Sequence, residues 1–176
     1  MSGTVTSIEP SGPVFLAGAS FAVAHINCQF CEQDFPYRKA ASGLGSIGYR
    51  VNRRAIVAGE VFRIPIDTES GRLRTWHVDV VAQYRPWAAR GLFVKGGAGM
   101  AFVRNWIDVA GTAPVTSKAL SIVMGAGWEF RPAARVGYQF LATQHATALG
   151  DVQTSLGEAQ NVLGNFWSIG AALVIR

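Results

Sequence analysis

This sequence is poor in charge and has no long apolar run. Of its 176 residues, 15% are charged and 49% hydrophobic, a balance that implies an apolar cover over part of the surface. The missing run excludes the simplest cover, because a helix that crosses a bilayer needs about 20 mostly apolar residues. The longest stretch free of Asp, Glu, Lys and Arg, from Pro10 to Cys31, is broken by Pro13, His25, Asn27 and Gln29. A basic start is lacking too. Residues 1–13 carry no Lys or Arg and do carry Glu9, so Phe15-Leu16-Ala17 lacks the n-region of a secretory signal. An exported chain would take its signal from outside this sequence.

Cysteine is nearly absent, with Cys28 and Cys31 alone, spaced Cys-x-x-Cys. A zinc site would want four ligands and only His25 lies nearby; a redox motif would want a βαβ context that the pattern does not offer. In an exported compartment the pair reads as a loop-stapling disulfide, with free thiols or a metal as the alternatives. The net charge of +5 invites a nucleic-acid partner, but that needs a basic cluster on one face. Arg50, Arg53, Arg54, Arg85, Arg90, Arg131 and Arg135 are scattered at segment ends instead, as at a membrane rim. Lys95-Gly96-Gly97-Ala98-Gly99 puts its lysine before the glycines, the reverse of a phosphate loop. His25, His77 and His145 stand near no nucleophile elbow. No enzymatic activity, cofactor, metal or nucleic-acid partner is expected.

What the sequence has is alternation. Period-2 patterning and turn residues divide it into eight expected strands: Val14–Ala24, Ala41–Arg50, Ala55–Ile64, Leu73–Tyr84, Gly91–Val103, Ala119–Phe130, Arg135–His145 and Gly164–Ile175. Their length suits the 9–11 residues, roughly, of a tilted membrane strand. Short connections at 51–54, 85–90 and 131–134 alternate with expected longer ones around 25–40, 65–72, 104–118 and 146–163. That is the meander of an outer-membrane barrel, with both termini on the short-turn side. The fold class is all-β, an eight-stranded antiparallel up-and-down transmembrane β-barrel. Residues 1–12 are expected as a flexible N-terminal segment and 13–176 as the barrel domain.

The faces can be assigned from the pattern. Trp76, Val78, Val80, Ala82 and Tyr84 form one apolar set, opposite Thr75, His77, Asp79, Val81 and Gln83. Leu120, Ile122, Met124, Ala126, Trp128 and Phe130 form another, opposite small residues and Glu129. With aromatics near both ends of the apolar sets, those sets should meet lipid, leaving small and ionisable residues inside. Glu60, His77, Asp79, Lys95 and Glu129 are then expected as one lumen polar network. Leu44, Ile56 and Phe62 fit least well, because they fall on the inward set.

The last strand carries a further pattern. Ser168, Gly170, Leu173 and Ile175 resemble the C-terminal signal by which outer-membrane barrels are recognised for assembly, although Arg176 stands where an aromatic is usual. Gly91-Leu92-Phe93-Val94-Lys95-Gly96-Gly97-Ala98-Gly99, followed by Gly125-Ala126-Gly127-Trp128-Glu129-Phe130-Arg131, resembles the outer-membrane β-barrel-domain family of Gram-negative bacteria, with its small OmpA- and OmpW-like barrels. The resemblance implies an outer-membrane location, lipid as surroundings and the barrel-assembly machinery as a partner during biogenesis. The expected role is structural or surface interaction. Uptake of a small hydrophobic ligand, as in OmpW-like barrels, and a soluble lipocalin-like ligand-binding barrel are the alternatives.

Overall fold

The computed structural model describes residues 11–27, 37–68, 71–87, 91–107, 115–130, 134–154 and 157–176. Cys28 and Cys31, and residues 1–10 of the expected flexible segment, lie outside the described residues. Eight strands run in chain order: β1 (Gly12–Asn27), β2 (Arg38–Arg50), β3 (Ala55–Thr68), β4 (Gly71–Tyr84), β5 (Leu92–Ile107), β6 (Val115–Phe130), β7 (Val136–Thr154) and β8 (Gly157–Ile175). Each pairs antiparallel with its neighbour in sequence, and β1 closes on β8. Closure leaves no sheet edge, so every spanning backbone group finds its partner within the sheet.

The side-chain alternation has the orientation expected of a membrane barrel. Val80 is 65% exposed, and Trp76, Val78, Ile122 and Met124 also face outward. Their ladder partners Val61, Ala98 and Gln144 lie on the same outer face. Outward aromatics form two belts, with Tyr49, Tyr84, Trp128 and Tyr138 toward the turns and Trp76, Phe102 and Trp167 toward the loops. A soluble barrel of lipocalin type would hold these apolar sets inside, so that alternative is overturned.

Two expectations need correction. The connections around 65–72 and 146–163 are largely strand: β3 ends at Thr68 where β4 begins at Gly71, and β7 reaches Thr154 where β8 begins at Gly157. Beyond the aromatic belts nothing requires an apolar outer face, so these segments extend the ladder with polar residues. The last hairpin thus projects by about ten residues, or roughly 30 Å of strand, with register shifts around Gly150. The interior is also less uniformly polar than expected. Leu44, Ile56 and Phe62 do point inward, and they pack there in apolar clusters.

The turn end is tightly built. In the β2–β3 turn Asn52 Oδ1 accepts hydrogen bonds from the backbone N–H of Arg54 (2.8 Å) and Ala55 (2.9 Å), an Asx arrangement that reverses the chain locally. Gly91 opens β5 at φ 75°, where a Cβ would be strained and would strike the Glu129 carbonyl. Its own carbonyl accepts from Glu129 N–H at 2.8 Å.

Candidate functional site

The lumen is the one compartment into which all eight strands aim side chains, and it is filled along its length. All five residues expected as one network are buried inside; their side-chain contacts fall into three groups, two of which abut where Glu60 faces Asp79 in the β3–β4 ladder.

At the turn end, Glu129 of β6 receives Arg85, which follows β4, and Arg176, which follows β8. Gln139 Nε2 of β7 donates to the same carboxylate at 3.1 Å. Arg176 is further fixed through its backbone N–H to Arg135 O (3.0 Å) and its Nη1 to Ala134 O (2.9 Å). The barrel floor is thus a carboxylate held between two guanidiniums, the pairing that best offsets the desolvation of each charge.

Above it, Lys95 Nζ of β5 donates to both oxygens of Glu60 on β3, at 2.6 and 2.7 Å. These strands flank β4 on either side, so the pair bridges across β4 on the inner wall. A cavity of about 30 Å³ adjoins it, bounded by Ser46, Gln83 and Gln139 among apolar walls. That is room for roughly one or two waters.

Toward the loops lies the third group, where His77 and Asp79 of β4 meet His145 of β7. All three are buried, and one ligating atom from each falls within 4.8 Å of the others. His77 Nδ1 lies 3.0 Å from Ser121 Oγ, and His145 Nδ1 lies 3.3 Å from Asp79 Oδ2. The latter pair is close but lacks hydrogen-bond alignment, leaving both Asp79 oxygens, both His145 nitrogens and His77 Nε2 without a hydrogen-bond partner. Phe62 stacks on His145 (centroids 4.5 Å apart, 9° between planes), and Phe166 meets His77 edge-on at 5.1 Å. The serine and the aspartate contact different histidines, whereas a hydrolytic triad threads one imidazole between nucleophile and acid.

Sequence reasoning missed Arg85 and Arg176, read as rim and chain-end residues, and missed His145 as a lumen partner. The signal for His145 was present, since it falls on the inward set of β7 with Gln139 and Thr143. Of the residues resembling an assembly signal, Ser168 points inward to bond Thr143 Oγ1 at 2.7 Å. Gly170 faces Ser20 of β1, which a Cβ there would strike. Leu173 and Ile175 face outward.

No family model and no curated relative matches the chain. Solved structures do resemble it. Neisserial surface protein A (NspA) aligns with a TM-score of 0.60 at 20% identity, covering 92% of this chain and 96% of that one. Ail, the attachment invasion locus protein of Yersinia pestis, aligns with a TM-score of 0.59 at 14% identity, over 93% and 99%. The outer membrane protein OprG from Pseudomonas aeruginosa gives 0.51 at 11% identity, over 97% and 100%. The shared feature is the fold, the small closed barrel. Joined to the outward apolar belt of this chain, that fold is a membrane-spanning eight-stranded β-barrel.

Proposed function

We propose that this protein is a non-enzymatic outer-membrane barrel whose role is structural or a surface interaction, exercised through its projecting loop-end rim. The observation that carries the reading is the filled lumen. From Arg85 and Glu129 through Lys95 and Glu60 to Phe62, His145 and Phe166, successive layers of buried side chains occupy the axis, as eight strands allow. What remains for function is the outer rim, where β7 and β8 run past the lipid belt.

Uptake of a small hydrophobic ligand would call for an apolar pocket at the side or top of the barrel. A lateral cavity of about 300 Å³ does open beside Trp76 and Phe102, but Arg63, Arg74 and Arg104 line it, and Arg63 lies over the Trp76 ring at 4.8 Å. Guanidiniums just beyond an aromatic belt suit headgroup phosphates better than hydrocarbon. The carboxy-terminal pattern of Ser168, Gly170, Leu173 and Ile175 supports recognition by the barrel-assembly machinery.

The test is reconstitution into planar bilayers and into vesicles loaded to report uptake of a hydrophobic dye. No stable conductance and no saturable dye transfer are expected. A steady open channel, or transfer that saturates, would replace this reading with a transport role.

A further inference from the structure

A buried carboxylate needs a countercharge. Glu60 has Lys95, and Glu129 has Arg85 and Arg176. Asp79, as buried as either, meets His145 at 3.3 Å and faces Glu60 across the β3–β4 ladder, and its two oxygens accept no hydrogen bond. Leaving an ionised carboxylate so placed is costly, and the side chains around it do not supply what offsets the cost at the other two acids. Either a proton shared with His145 or a bound cation would.

The arrangement favours the cation. We propose that His77, Asp79 and His145 form a lumen binding site for a divalent transition-metal ion of zinc type. Two imidazoles and one carboxylate are the donors that such ions take. Their atoms lie within 4.8 Å of one another, against about 3.3 Å between ligands of a tetrahedral zinc with bonds near 2.0 Å, so small side-chain rotations complete the site. The outer contacts agree. Metal-bound histidines hold their second ring nitrogen with a hydrogen-bonding partner; here His77 Nδ1 is hydrogen-bonded with Ser121 Oγ at 3.0 Å, and Nε2 is a buried atom with no partner, so the tautomer with its proton on Nδ1 leaves Nε2 a lone pair for the ion. Phe62 and Phe166 pack against the two rings, so the ligands are gathered near the site before the ion arrives. Three strand residues leave the fourth position for water or a lumen oxygen.

The other soft ligands of the sequence, Cys28, Cys31 and His25, have to be kept out of the measurement. The full chain carrying Cys28→Ser and Cys31→Ser, refolded in detergent and stripped with chelator, is titrated calorimetrically with zinc alone. One ion per chain is expected. His145→Ala should weaken binding by at least about ten-fold, the effect of disturbing even outer contacts of a metal site, and His25→Ala should leave it unchanged. Heat-modifiable gel migration verifies that each variant is folded. Should His145→Ala fail to fold, cobalt(II) added to the parent protein gives the same answer without it, as the visible absorption of a four-coordinate nitrogen and oxygen site. No zinc uptake and no cobalt band would overturn the site and leave a shared proton as the countercharge. Uptake that survives His145→Ala, or vanishes with His25→Ala, would overturn it as well. Because the site requires only a folded lumen, its failure would not bear on the rim's role, and a conducting barrel that still bound zinc would sink the functional reading alone.

Discussion

The two halves of the lumen solve the same problem differently. In the turn-end half every buried acid is matched to a base: Glu129 to Arg85 and Arg176, Glu60 to Lys95. In the loop-end half Phe62, Ile64, Ile66 and Phe166 form an apolar plug around an acid and two histidines whose polar atoms, save His77 Nδ1, stay unbonded. The first half is electrostatically closed. The second is packed but chemically open, and that difference locates reactivity toward the outer rim and rigidity toward the turns.

The comparison breaks most sharply at Glu129. Glu129→Ala leaves two guanidiniums buried without their shared carboxylate and should cost about 4 kcal/mol, read as a lowered urea midpoint for unfolding from detergent. Phe166→Ala, in the apolar half, removes a ring that is 0% exposed and should cost about 3 kcal/mol through the cavity left behind; the same unfolding curve reports it. Lys95→Met should cost a similar amount by stranding Glu60. Adding Glu60→Leu should recover most of that loss, since an apolar pair replaces a buried ion pair with little net change. Asp79→Asn in chelator-stripped protein is expected to change stability by less than about 1 kcal/mol, because it strands no Lys or Arg and its contact with His145 lacks hydrogen-bond alignment. A loss there as large as that of Glu129→Ala would erase the distinction between the halves. Ser168→Ala, which removes a single neutral hydrogen bond to Thr143, should fall near 1 kcal/mol.

Much of this was legible in the sequence, and for a physical reason. Lipid demands an apolar side chain at every second position, so the outward faces of β4, β5, β6 and β7 could be read directly from residues such as Trp76, Val78, Ile122 and Phe140. The lumen imposes no such rule. Leu44, Ile56 and Phe62 looked like poor fits only because an apolar interior cluster and a lipid face share the same composition. Pairing across an intervening strand was not legible either. Glu60 and Lys95 are 35 residues apart on strands that are not neighbours in the sheet, and their meeting depends on how the barrel closes. Arg176 sits on the floor because the Arg135 and Ala134 carbonyls turn it there, a contact that no local pattern encodes. The strand extensions at 65–68 and 146–154 were hidden because, beyond the lipid, polar residues are compatible with strand and loop alike.

The orientation of the alternate positions underlies all of this, and spin labels report it directly. Cysteines placed singly at Val80, Ile122 and Ile169, in a background of Cys28→Ser and Cys31→Ser, would carry nitroxides in protein reconstituted into lipid vesicles. Each label is expected to be quenched more by oxygen, which dissolves in hydrocarbon, than by a water-soluble nickel chelate. Preferential quenching by the chelate at these three positions would mean that they face water, and the membrane barrel described above would be wrong.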